Sequence, residues 1–111
     1  MTPTAPVAPR VLVFVQETAR SIQTTGRLER NGVGTLRCWT LADVQRALRE
    51  AKGLLGAALV DLCSPDGQSA VAAVASGLPG LPIIVWRDRM TYSLMEQSQD
   101  AFAARVLEVL S

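Results

Sequence analysis

Val11-Leu12-Val13-Phe14-Val15, followed at once by Gln16-Glu17-Thr18, is an unbroken β-branched and aromatic run that stops abruptly at polar residues. A strand with one wet face alternates apolar and polar side chains, so a run without alternation belongs to a strand covered on both faces, as in the middle of a parallel sheet. Ala57-Ala58-Leu59-Val60, ending at Asp61, and Leu81 to Trp86 (Leu-Pro-Ile-Ile-Val-Trp) have the same character. Thr35 to Thr40 differs: Leu36, Cys38 and Thr40 alternate with Arg37 and Trp39, the pattern of a strand at a sheet edge.

Helical segments separate these runs. From Gln16-Glu17-Thr18 to Arg30 the apolar members are Ala19, Ile22 and Leu28, and Asn31-Gly32 offers a left-handed stop. Thr40-Leu-Ala-Asp43 has the spacing of a capping box, with the Asp43 carboxylate at the positive end of the helix. Leu41, Val44, Leu48 and Ala51 then form one stripe, and Gly53 can end the helix. Ser64-Pro65-Asp66-Gly67 is turn chemistry, and Gln68 to Ser76 puts Ala70, Val71, Ala73 and Val74 on one side of a small helix that Gly77-Leu78-Pro79-Gly80 breaks. Phe102, Ala103, Val106, Leu107 and Leu110 repeat at helical spacing near the end. Strand and helix alternate, which predicts right-handed βαβ crossovers and a three-layer αβα sandwich. The expected sheet is open and parallel, of flavodoxin-like type, with strand order 2-1-3-4.

Composition narrows the chemistry. The chain has 111 residues, 49% of them hydrophobic and 19% charged, with mean hydropathy +0.22. That predicts one globular domain over residues 10–111 after a proline-rich tail, 1–9, that lacks the character of a signal peptide. No run approaches the roughly 18 apolar residues a membrane span needs, so a cytoplasmic location without membrane contact is expected. Net charge is +1, which offers no bulk attraction to nucleic acid. With no histidine, serine–histidine and cysteine–histidine catalysis and histidine-containing metal sites are excluded. Cys38 and Cys63 form no CxxC motif and read as reduced thiols.

In an open α/β sheet, sites form outside the C-terminal strand ends. The first strand ends in Val-Phe-Val-Gln-Glu-Thr, the third in Leu-Val-Asp-Leu with Pro65 after it, and the fourth opens with Leu-Pro-Ile-Ile-Val. In this order and spacing, from Val11 to Trp86 plus the last helix, the chain resembles the receiver domain of two-component response regulators. The resemblance implies that Asp61 is the candidate phosphoacceptor and that Glu17 and Gln16 stand where the family keeps two acids for Mg²⁺. An amide in place of one carboxylate weakens such a site, because hard cations want charged oxygen ligands. Trp86 stands where the family has a threonine or serine, and the only lysine, Lys52, lies far from the place of the family's conserved lysine.

About eleven residues separate Trp86 from the final helix, too few for another helix and a parallel strand, since a parallel crossover takes a dozen or more. The fifth strand is therefore expected to be missing, short or antiparallel. An apolar strand near a free edge is a template for another chain, which predicts a homodimer through Ile84, Trp86, Tyr92, Leu94 and Phe102. The expected function is that of an atypical receiver acting in signal transduction by protein–protein contact, without catalysis and without an obligatory cofactor. The alternatives are a phosphorylatable single-domain regulator using Asp61 and Mg²⁺, and a flavodoxin-like module that binds a small ligand.

Overall fold

A computed structural model describes residues 10–86. Its elements run β1 (Arg10–Phe14), α1 (Thr18–Arg30), β2 (Gly34–Cys38), α2 (Leu41–Glu50), a single 3₁₀ turn (Lys52–Leu54), β3 (Leu55–Asp61), α3 (Gly67–Gly77) and β4 (Ile83–Trp86). All pairings are parallel and the order is β2-β1-β3-β4, as the hydrophobic patterning predicts for a small flavodoxin-like fold. The region expected to hold the fifth strand and the last helix, and with it Tyr92, Leu94 and Phe102, lies outside the described residues.

β1 is central because its sequence leaves it no other place: Val11 through Val15 are all fully buried, and only a strand with neighbours on both edges and layers on both faces achieves that. Alternate side chains enter separate halves of the core. Val11, Val13 and Val15 join Leu28 of α1, Val33, Leu59 and Ile84. Leu12 and Phe14 join Val44 and Ala47 of α2 and Ala70 and Val74 of α3. Helix α1 thus covers one face, and α2 with α3 the other.

Three local expectations are revised. In α1 the buried face is Ser21, Thr24, Thr25 and Leu28, while Ala19 is exposed and Ile22 is 52% exposed. Small hydroxylated side chains let the helix lie close to the sheet, and Thr25 meets its own need by donating to the Ser21 carbonyl at 2.9 Å. β2 ends at Cys38 because Thr40 is already the N-cap of α2. That helix is capped at Ala51, where the 3₁₀ turn takes over, before Gly53. Gly32 does adopt the left-handed conformation, with φ of 81°, so the Asn31-Gly32 stop acts through the one residue type that takes this φ without steric cost.

Candidate functional site

Parallel neighbours end on the same side of a sheet, and the register Phe14↔Val60 sets the ends of β1 and β3 side by side. Gln16 and Glu17 therefore emerge next to Asp61. Together with Arg20, Cys63, Ser64 and Pro65 they line a cleft of about 410 Å³.

Asp61 is the last residue of β3 and is 1% exposed. Its Oδ1 accepts the Cys63 backbone N–H at 2.8 Å. Its Oδ2 accepts the Ser64 hydroxyl at 3.3 Å and the Arg20 guanidinium at 3.2 Å. Burying a carboxylate is costly unless it is paired and hydrogen-bonded, and this one is both. The second nitrogen of the same guanidinium lies 3.0 Å from Glu17 Oε2. Arg20, with its side chain only 14% exposed, thus spans a buried acid and a half-exposed one.

Gln16 has a different job. Its backbone N–H donates to Ser64 Oγ at 3.0 Å. Its side-chain oxygen accepts the Asp66 N–H, and its amide nitrogen donates to Asp66 Oδ2, both at 2.9 Å. The same nitrogen reaches the Trp39 carbonyl at 3.1 Å. One side chain at the end of β1 therefore joins the loops that follow β2 and β3. Gly67 completes the turn after Asp61: a Cβ there would lie 2.5 Å from the Asp61 carbonyl oxygen and 2.8 Å from Leu62 Cα, so only glycine permits α3 to start this close to β3.

Glu17, Gln16 and Asp61 are thus brought to one strand end, as the strand order predicts, but their polar atoms face protein groups. Mg²⁺ holds to near-octahedral oxygen coordination and keeps several waters. Here both carboxylates contact Arg20 and the Gln16 oxygen accepts a backbone N–H, so the donor set as arranged does not fit that ion. Among the described residues no group of three or more His, Cys, Asp or Glu side chains could hold a metal. The register Asp61↔Trp86 sets the Trp86 backbone beside Asp61. Lys52 lies in the turn before β3, at the opposite end of that strand. Ile84 is 7% exposed and belongs to the core, so Ile84→Lys would disturb folding before it reported on any dimer.

Arg20 and Ser64 line the same cleft and bond Asp61, and neither stands out in the linear sequence. Arg20 follows Glu17 by three positions, a spacing at which helical side chains meet, and that was the available signal. Ser64 reads only as a turn residue. The two cysteines occupy opposite settings: Cys63 is exposed, whereas Cys38 is buried. Burial, with the nearby Asp43 carboxylate, pushes the Cys38 thiol up to about 12. No known family model, curated protein or solved structure matches this chain. Among the described residues no helix is long and apolar enough to cross a membrane.

Proposed function

We propose that this chain is a receiver-like signalling module that works through protein contact and has given up phosphoryl transfer. The observation that carries the reading is the Arg20 guanidinium, 3.2 Å from Asp61 Oδ2 and 3.0 Å from Glu17 Oε2. A phosphoacceptor aspartate must expose a carboxylate oxygen to the incoming phosphorus, and a cation must offset the charge that gathers there. Arg20 instead supplies a cation tethered to the chain, and Ser64 and the Cys63 N–H also bond the carboxylate. An arginine is charged at every accessible pH, so this neutralisation does not depend on any metal supply. The cluster then acts as a node that fixes the loops after β1 and β3 in one conformation for a partner to read. The absence of lysine and hydroxyl side chains at the family's places supports the same reading.

The test is incubation of the full chain with acetyl phosphate and Mg²⁺, read by intact mass. No gain is expected for the native protein, and a gain abolished by Asp61→Asn would overturn the reading in favour of a phosphorylatable regulator. Arg20→Gln removes the tethered charge from this largely buried site and should tighten Mg²⁺ binding about tenfold, equivalent to about 1.4 kcal/mol. Amide shifts at Cys63 and Ser64 follow that titration.

A further inference from the structure

A continuous line of hydrogen bonds crosses the C-terminal strand ends, from Asp61 on β3 through Gln16 after β1 to Trp39 after β2. The Gln16 backbone N–H donates to Ser64 Oγ at 3.0 Å, and the Ser64 hydroxyl donates onward to Asp61 Oδ2 at 3.3 Å. Both donors point the same way, so each bond polarises the next, and the charge at Asp61 sets how firmly the Gln16 backbone is drawn towards β3. Arg20, 3.2 Å from the same Oδ2, is the cation that balances that charge. The Gln16 side chain carries the link to the other side. Its amide nitrogen has two hydrogens, which serve the Asp66 carboxylate at 2.9 Å and the Trp39 carbonyl at 3.1 Å, while its oxygen accepts the Asp66 N–H at 2.9 Å. A flipped amide would set its oxygen against two other acceptor oxygens, so this network fixes one orientation. A displacement of Gln16 is therefore passed to the Trp39 carbonyl.

Trp39 is held from both sides, because its N–H lies 3.0 Å from the Asp43 carboxylate. With the N–H anchored, a pull on the carbonyl turns the residue and its ring together. That ring is 39% exposed and carries the Arg37 guanidinium 5.4 Å from its centre. Of the large apolar side chains exposed among the described residues, it is the only aromatic one. We infer that Gln16 couples the cleft at Asp61 to this surface, so that a change of charge in the cleft is read out as a change in how Trp39 and Arg37 are presented. The relay ends at the capping box of α2, which closes between Thr40 and Asp43 and keeps the helix start in place whatever Gln16 does. The coupling does not depend on what alters the charge at Asp61, so it stands or falls separately from the loss of phosphoryl transfer. A side chain that only braces two loops would transmit nothing between them, and the experiment separates the two roles.

Amide spectra of the full ¹⁵N-labelled chain are compared for the native protein, Arg20→Gln, Gln16→Ala and the double variant. Arg20→Gln should shift the Ser64 amide, the Thr40 amide, which follows the Trp39 carbonyl, and the Trp39 indole, while the Asp43 and Val44 amides stay in place. In the Gln16→Ala background the same substitution should still shift Ser64 but move neither Thr40 nor the indole. Because Arg20→Gln strips a buried carboxylate of its cation, a second perturbation leaves every charged residue in place: iodoacetamide at neutral pH. Burial pushes the Cys38 thiol up to about 12, so the exposed Cys63 in the cleft takes the reagent, and intact mass should show one added group. The modified chain should reproduce the Thr40 and indole shifts, and Gln16→Ala should erase them. Additive shifts in the double variant, or a shifted Ser64 with Thr40 and the indole unmoved in either perturbed chain, would overturn the inference. Equal movement of Asp43 and Val44 would do the same, since it marks general loosening of the loops and not transmission through Gln16.

Discussion

Helices α2 and α3 pack side by side on one face of the sheet, yet they begin by different means. At α2 the Thr40 side chain accepts the Asp43 N–H at 3.1 Å and the Asp43 carboxylate accepts the Thr40 N–H at 3.2 Å, a closed capping box. The Trp39 N–H, 3.0 Å from the same carboxylate, and the Thr40 N–H hold the Asp43 carboxyl below its ordinary range. At α3 the N-cap residue, Asp66, makes no capping hydrogen bond with its side chain. Its N–H and its carboxylate are instead taken by Gln16, fifty positions earlier in the chain, and its helix starts where Gly67 slips under the Asp61 carbonyl. One start is written in four consecutive residues. The other exists only once β1 and β3 are paired, so it should fail whenever the loops around Asp61 are disturbed, while the α2 start persists.

The contrast can be broken most severely at Gly67. Gly67→Ala forces a methyl into the Asp61 backbone, and overpacking against backbone that cannot yield should cost about 3 kcal/mol. An unfolding free energy lowered by that amount in a urea series would be expected, together with a shifted Cys63 amide and an unchanged Asp43 amide. Gln16→Ala comes next. It removes the bonds to Asp66 and Trp39 but keeps the backbone donor to Ser64, so about 1–3 kcal/mol should be lost as the partners go unsatisfied. Hydrogen exchange should quicken from Asp66 to Ala70 and stay as it was from Leu41 to Val44; equal quickening in both helices would erase the distinction between the two starts. The smallest effect belongs to the local cap, where Thr40→Ala should cost about 1 kcal/mol. Its companion is a pH dependence. Because folding lowers the Asp43 pKa, its contribution is complete above the unfolded value of about 3.9 and disappears as pH falls through the folded one. Asp43→Asn should flatten that acid limb in a denaturant series collected from neutral pH downward.

Much of this division could be read from the chain. The two-sided burial of β1 and β3 follows from runs that contain no polar residue, and the edge position of β2 from its alternation. The capping box of α2 follows from four residues in a row, and the stop after α1 from a glycine that needs positive φ. Each of these rests on short-range sterics or on periodicity, which a linear string carries in full. Asp61, Glu17 and Gln16 could be assigned to one end of the sheet for the same reason: parallel strands with short ends leave their following residues together.

What those residues do there is a property of the folded chain. That Arg20 turns inward to bridge Glu17 and Asp61, that α1 buries Ser21, Thr24 and Thr25 in preference to Ile22, and that Gln16 serves Asp66 and Trp39 in place of a cation all depend on how far α1 is rotated against the sheet. Helical periodicity limits that rotation only loosely when the candidate faces are short of large apolar residues, as in α1, where Leu28 is the one large apolar side chain that is fully buried. Composition and pattern therefore determined the layers, the strand order and the end of the sheet at which polar groups gather. The long-range partners of Asp61 and Asp66 were decided by distances across 41 to 50 positions of sequence, and the buried Asp61 takes the donor the fold delivers because leaving its charge unpaired costs more than any local preference can return.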